Sequence, residues 1–117
     1  MEITRHHEAE IAVLALVGRL TVNDTPGKLK AEATQAISEG ARAIILDLSQ
    51  VPYIDSTRLG ELIAAHISVA RQNGRLVLVC PTQRITALLK LAGLEGIFET
   101  YPSLELARGA VTSPRRT

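Results

Sequence analysis

Three short stretches, Ile11-Ala12-Val13-Leu14-Ala15-Leu16-Val17, Ala43-Ile44-Ile45-Leu46-Asp47-Leu48 and Leu76-Val77-Leu78-Val79, are apolar at almost every residue. They are too short for buried helices and rich in β-branched side chains, so each reads as a strand. A strand apolar on both faces has no side to turn to water, which calls for a parallel sheet with helices packed against it. The segments between the runs supply those helices. Thr25-Pro26 has the form of a helix start, a hydroxyl cap followed by a proline whose missing N–H costs nothing there. That helix is expected to run to about Glu39 and stop at Gly40, with Leu29, Ala33, Ala36 and Ile37 as a thin apolar stripe. Asp55-Ser56-Thr57 opens a second helix to about Gln72, whose buried side is expected to be Leu59, Leu62, Ile63, His66, Ile67 and Ala70. Asn73-Gly74 breaks it. A strand over Arg75–Cys80, a helix over Thr82–Ala92, a strand over Ile97–Thr100 and a helix over Ser103–Val111 follow.

A segment around Glu2–His6 completes the pattern as an edge strand antiparallel to Ile11–Val17. The order is β-β-α-β-α-β-α-β-α, an α/β class chain with a single mixed, mostly parallel sheet of about five strands covered by four helices. One domain is expected over residues 1–111, with a disordered tail over 112–117.

Composition narrows the function. Thirteen basic residues against twelve acidic leave a net charge of +1, so no global field favours nucleic acid or an anionic membrane. Two tyrosines, one phenylalanine and no tryptophan leave little for base stacking. The first eight residues are too polar for a signal peptide, and the longest apolar run, Ile11–Val17, is far short of a bilayer span. Cys80, the lone cysteine, ends an apolar run and is expected as a buried structural thiol in a reducing compartment. These features point to a cytoplasmic protein with no direct nucleic-acid contact and no membrane insertion.

Catalytic chemistry is scarce. The acids Glu32, Glu39, Glu61, Glu95, Glu99 and Glu105 are scattered on expected solvent faces, and Asp47 is expected to make a strand-end hydrogen bond. His6 and His7 lie near a mobile end, and His66 falls on the apolar side of its helix. No Cys/His spacing suits a metal, and no glycine-rich phosphate loop or G-x-S-x-G elbow occurs. The expectation is a protein that is not an enzyme and carries no cofactor.

The informative segment is Ile44-Ile45-Leu46-Asp47-Leu48-Ser49-Gln50-Val51-Pro52-Tyr53-Ile54-Asp55-Ser56-Thr57-Arg58-Leu59-Gly60. Asp55 can cap the free N–H groups of the helix that follows. Capping explains an aspartate and one hydroxyl; a second hydroxyl, at the carboxyl end of a parallel strand where open α/β sheets carry their sites, is left over.

This segment resembles the signature of the STAS-domain family, in which an apolar strand ends in Asp-Ser-[Ser/Thr]-Gly-[Leu/Ile]-Gly at the start of the second helix. The element order is similar along essentially the whole chain, and Asn73–Val79 with Leu94-Glu95-Gly96-Ile97-Phe98 resembles the family's downstream elements. The resemblance implies a bacterial anti-sigma factor antagonist, whose serine after the aspartate is phosphorylated by a partner that is both serine kinase and anti-sigma factor. That serine corresponds to Ser56. Asp55 and Thr57 correspond to its neighbours, whereas Arg58 replaces the usual glycine. Expected on the first helical turn, Arg58 is either a tolerated surface residue or one that pairs with a phosphate on Ser56 or obstructs the kinase.

The partner surface is expected to comprise Asp55, Ser56, Thr57, Arg58, Glu61, Ala65 and Ser68, continuing to Gln72, on the exposed side of the helix. A weak homodimer is left open. Two other readings stand beside this one. The first is a STAS subunit of a stress-signalling complex or a lipid-transport ABC system, acting without phosphorylation. The second is a small-molecule or nucleotide-binding module.

Overall fold

In the computed structural model the chain forms β1 (Glu2–Glu8), β2 (Ile11–Val17), α1 (Lys28–Ser38), β3 (Ala43–Gln50), α2 (Ser56–Arg71), β4 (Arg75–Val79), α3 (Gln83–Leu91), β5 (Glu99–Tyr101) and α4 (Leu104–Thr112). The structure describes residues 1–112 apart from Val22, Asp24, Thr25, Cys80 and Glu95. The cap expected of Thr25, the buried thiol expected of Cys80 and the tail from Ser113 onward therefore lie outside the described residues. Thr112, read from sequence as the start of the tail, closes α4.

The strands lie in chain order, β1-β2-β3-β4-β5. β1 runs antiparallel to β2, and the remaining neighbours are parallel. Because the order never reverses, right-handed crossovers deliver successive helices to one face. Ala12, Leu14, Leu16, Ile44, Leu46, Leu48, Leu76 and Leu78 accordingly point to the face that carries α1, α2 and α3. The alternate residues Ile11, Val13, Ile45, Val77 and Val79 point the other way, where Leu104, Ala107 and Val111 of α4 cover them. This is why all three apolar runs lack a polar side. Arg108 holds α4 against β1 by donating from Nε and Nη2 to the Glu8 carboxylate at 2.7 and 2.6 Å.

Three expectations need correction. β1 pairs with β2 along its whole length, from Glu2 to Glu8, so His6 and His7, read as lying near a mobile end, sit on an edge strand paired throughout and are exposed there. α1 starts at Lys28 rather than Pro26, because Gly27 at φ 79° is left-handed and a helix cannot run through it. The buried side of α2 is Arg58, Leu59, Leu62, Ala65 and Val69; Ile67 is 44% exposed and Ala70 is exposed. α2 packs against α1 as well as the sheet, so its buried arc is rotated toward α1, and Ala65 joins the core cluster that includes Ala33 and Ala36 of α1.

The turn into β4 shows why a glycine is needed there. Asn73 adopts a left-handed φ of 62°, and a Cβ on Gly74 would fall 2.8 Å from both Ile37 Cδ1 and Val69 Cγ1.

Candidate functional site

β2, β3 and β4 are parallel, so their carboxyl ends and the loops that leave them gather at one edge of the sheet. A register shift between Ala15 and Val17 of β2 interrupts the ladder with β3 near that edge. Asp47 Oδ1 accepts a hydrogen bond there from the Ser49 N–H at 3.0 Å, the strand-end role expected of it. Beyond the strands the pairing resumes. Leu20 forms a parallel bridge with Ile54, its N–H donating to the Tyr53 carbonyl at 2.9 Å and its carbonyl accepting from the Asp55 N–H at 2.9 Å. Leu20 itself is fully buried. The connection leading into α2 is thus an extension of the sheet, which fixes where the helix begins.

Asp55 is the cap. Its backbone is extended, and Oδ1 accepts from the Arg58 N–H at 2.8 Å, satisfying one of the free donors of the first turn. Ser56 and Thr57 follow as the first two helical residues and both are exposed. Neither hydroxyl is hydrogen-bonded to another described residue. Gly60, one turn on, is exposed as well, and a Cβ added to it would meet nothing within 4 Å. A glycine inside a helix costs about 0.5–1 kcal/mol relative to alanine, and no neighbouring atom here requires one. The surface over Gly60, one turn from Ser56, is therefore open.

Arg58 is not on that surface. It is 5% exposed, and its Nη1 is bound to Glu61 Oε1, one turn along the same helix. Glu61 Oε2 accepts from the Lys30 N–H at 3.1 Å, supplying the first turn of α1 with an acceptor that its own N-cap, Gly27, has no side chain to provide. The Arg58–Glu61 pair thus joins the starts of two helices. The expectation of an exposed stripe Arg58, Glu61, Ala65, Ser68 and Gln72 fails for the same reason. Arg58 and Ala65 are buried, Glu61 and Ser68 are partly covered, and only Gln72 is exposed, because this side of α2 faces α1. The outward side is Ser56, Thr57, Gly60 and Ile67, with Ala64 half-buried between them. The i,i+3 spacing of Arg58 and Glu61 is the sequence signal for their pairing.

Beside Ser56 an open groove of about 470 Å³ separates the start of α2 from α3, lined by Tyr53, Ile54, Ser56, Arg84, Ile85 and Leu88 among others. Sequence reading missed Tyr53 and Arg84 as site residues. Each directly follows the carboxyl end of a strand or opens the next helix, and that placement is the signal that could have found them. Elsewhere His66 packs its ring 5.2 Å from that of Phe98. Among the described residues no three His, Cys, Asp or Glu side chains come together as a metal site, and no helix is long and apolar enough to cross a membrane.

Comparison with known proteins agrees with this architecture. The STAS domain family profile matches residues 2–107. The anti-sigma-B factor antagonist of Listeria monocytogenes is 30% identical over 84 residues, which cover 72% of this chain and 73% of that protein. A candidate anti-sigma factor antagonist of Thermotoga maritima superposes with a TM-score of 0.85 at 23% identity, covering 95% of each chain. The Bacillus cell fate determinant SpoIIAA in its phosphorylated form superposes with a TM-score of 0.71 at 19% identity, covering 94% of this chain and 99% of that one. An order of strands and helices first read from apolar runs, a capped helix start with exposed hydroxyls and a profile match along nearly the whole chain lead to one conclusion: the protein is a member of the STAS domain family.

Proposed function

We propose that the chain is an anti-sigma factor antagonist that acts in the cytoplasm by binding an anti-sigma factor with serine-kinase activity, and that phosphorylation of Ser56 switches it off. The observation that carries this reading is the Ser56 hydroxyl itself, exposed on the first residue of α2 directly after the capping Asp55. The names of the relatives support the partner class, and the phosphorylated form of SpoIIAA supports a switch of this kind on this fold.

Among the described residues no general base is bound to Ser56 Oγ, so the residue suits the role of acceptor, taking a phosphoryl group that an enzyme delivers. The group adds roughly −1.5 to −2 charges at neutral pH. At a helix N-terminus those charges meet free N–H groups and the positive end of the dipole, favourable by about 0.3–1 kcal/mol. The fold should therefore tolerate the modification. A docked partner does not. One partner carboxylate about 4 Å from one added charge, at an effective dielectric near 20, costs roughly 4 kcal/mol, on the order of a thousandfold in affinity.

The proposed contact surface is Ser56, Thr57 and Gly60 with Ala64 and Ile67, and with Asp55 at its margin. Arg58 belongs to its foundation: it is buried and its Nη1 is paired with Glu61, which argues against a role in crowding a kinase or as counter-ion to the phosphate. The test is to incubate the protein with candidate anti-sigma kinases and ATP and to map any phosphate by mass spectrometry. Incorporation at Ser56, abolished in Ser56→Ala, supports the proposal. Incorporation confined to another residue, or none with any kinase that binds the chain, contradicts it.

A further inference from the structure

The groove beside Ser56 carries a second kind of information, the chemistry of what fills it. Its floor is apolar, from Ile54, Ile85 and Leu88, and Leu91 at its end is 87% exposed. One wall is the Tyr53 ring, and two arginines lie over that ring. The Arg19 guanidinium carbon, from the loop after β2, is 4.8 Å from the ring centroid, and that of Arg84, from the first turn of α3, is 5.5 Å away. Such stacking orients a guanidinium while leaving its N–H donors free. Both arginines are exposed, and neither is paired with a carboxylate among the described residues. Arg5, Arg42, Arg58, Arg75 and Arg108 each have one. Asp55, the groove's own acid, holds the Arg58 N–H.

We infer that this groove receives a protein segment in which an apolar side chain is flanked by carboxylates. The apolar residue enters between Ile54, Ile85 and Leu88, and the carboxylates take the Arg19 and Arg84 guanidinium groups, which the loop after β2 and the first turn of α3 bring to one tyrosine. Charge complementarity selects this occupant. A neutral apolar segment would leave two oriented cations unused, and a basic one would be repelled. The inference rests on the reading of the Ser56 surface as a docking site and adds the partner's chemistry to it. A phosphate on Ser56, which lines the same groove, would oppose the same carboxylates.

The test has one arm that needs no natural partner. The 15N-labelled full chain is titrated with the blocked peptide Glu-Glu-Leu-Glu-Glu-Leu-Glu-Glu and with its lysine-for-glutamate counterpart, and amide and arginine Nε shifts are followed. The acidic peptide should move Tyr53, Arg84, Ile85 and Leu88, and the basic one should not. The double variant Arg19→Glu with Arg84→Glu changes exposed side chains only and should melt with the wild type. It should lose at least about tenfold in affinity for the acidic peptide and gain affinity for the basic one. Equal response to both peptides, response to neither, or unchanged preference in the double variant overturns the inference. So does sedimentation of the protein with phosphatidylserine vesicles that the double variant abolishes, which would make the groove a lipid contact.

The second arm uses an anti-sigma factor. If one binds wild type and double variant equally, the groove assignment falls while the antagonist reading stands. If the acidic peptide maps to the groove but no anti-sigma factor binds the chain, the antagonist reading falls and the groove assignment stands.

Discussion

The two ends of the parallel strands treat their polar side chains in opposite ways. At the amino end of β4, Arg75 donates from Nε to Glu99 Oε1 at 2.9 Å and from Nη1 to the Ala110 carbonyl at 3.1 Å, and it also binds Glu99 through Nη2. The Tyr101 hydroxyl donates to Glu99 Oε2 at 3.0 Å. Burial, and then that bond to Glu99, raise the Tyr101 pKa above its ordinary 10.0, while the Glu99 hydrogen bonds raise that of Arg75 despite burial working against it. Every group in the cluster is used, and the cluster ties β4, β5 and α4 together. At the carboxyl end Arg58 is paired with Glu61 through Nη1, while its buried Nε has no hydrogen-bond partner among the described residues. Ser56, Thr57, Arg19 and Arg84 face water with their donors unspent. Polar groups that hold a fold find each other; those left unpaired on a rigid scaffold are available to something else.

That contrast can be broken first at its foundation. Glu61→Ala leaves the Arg58 guanidinium buried without its partner and removes the acceptor of the Lys30 N–H, and should cost about 3–5 kcal/mol of stability in denaturant unfolding. A loss under about 1 kcal/mol would mean the pair is not the scaffold of the carboxyl end. Gly60→Ala sharpens the comparison, because its two effects have opposite signs. Stability should rise by about 0.5–1 kcal/mol, while partner affinity falls, since the methyl stands on the proposed contact surface. A rise in both would show that the open surface is not used. The smallest effect belongs to the amino end. Glu99→Gln should lower stability by about 1 kcal/mol or less, as expected of a partly exposed ion pair, and leave partner affinity unchanged.

The strands were legible because a sheet covered on both faces demands apolar runs, and three such runs stand out. The helix start at Ser56 was legible because aspartate followed by hydroxyls is the local grammar of a cap. The orientation of α2 was not. Ala65 is small and reads as a surface residue, yet it joins the core cluster that includes Ala33 and Ala36 of α1. Ile67 reads as core but faces outward, since the arc toward α1 displaced it. Arg58 was misjudged because an arginine looks solvated until its partner Glu61, and that partner's bond to Lys30 of another helix, are seen together. The groove was invisible for a related reason. Arg19, Tyr53 and Arg84 are far apart in the chain and meet only because the loops after β2, β3 and β4 converge at one sheet edge.

On the proposed reading a protein lands on the Ser56 hydroxyl, and negative charge there evicts it without disturbing the fold. Wild type and Ser56→Asp, compared by titration calorimetry against the same anti-sigma factor and by thermal melting, test it most directly. A large drop in affinity, up to on the order of a thousandfold, with nearly the same melting temperature is the expected result. Equal affinities, or a loss of binding that merely tracks unfolding, would contradict it.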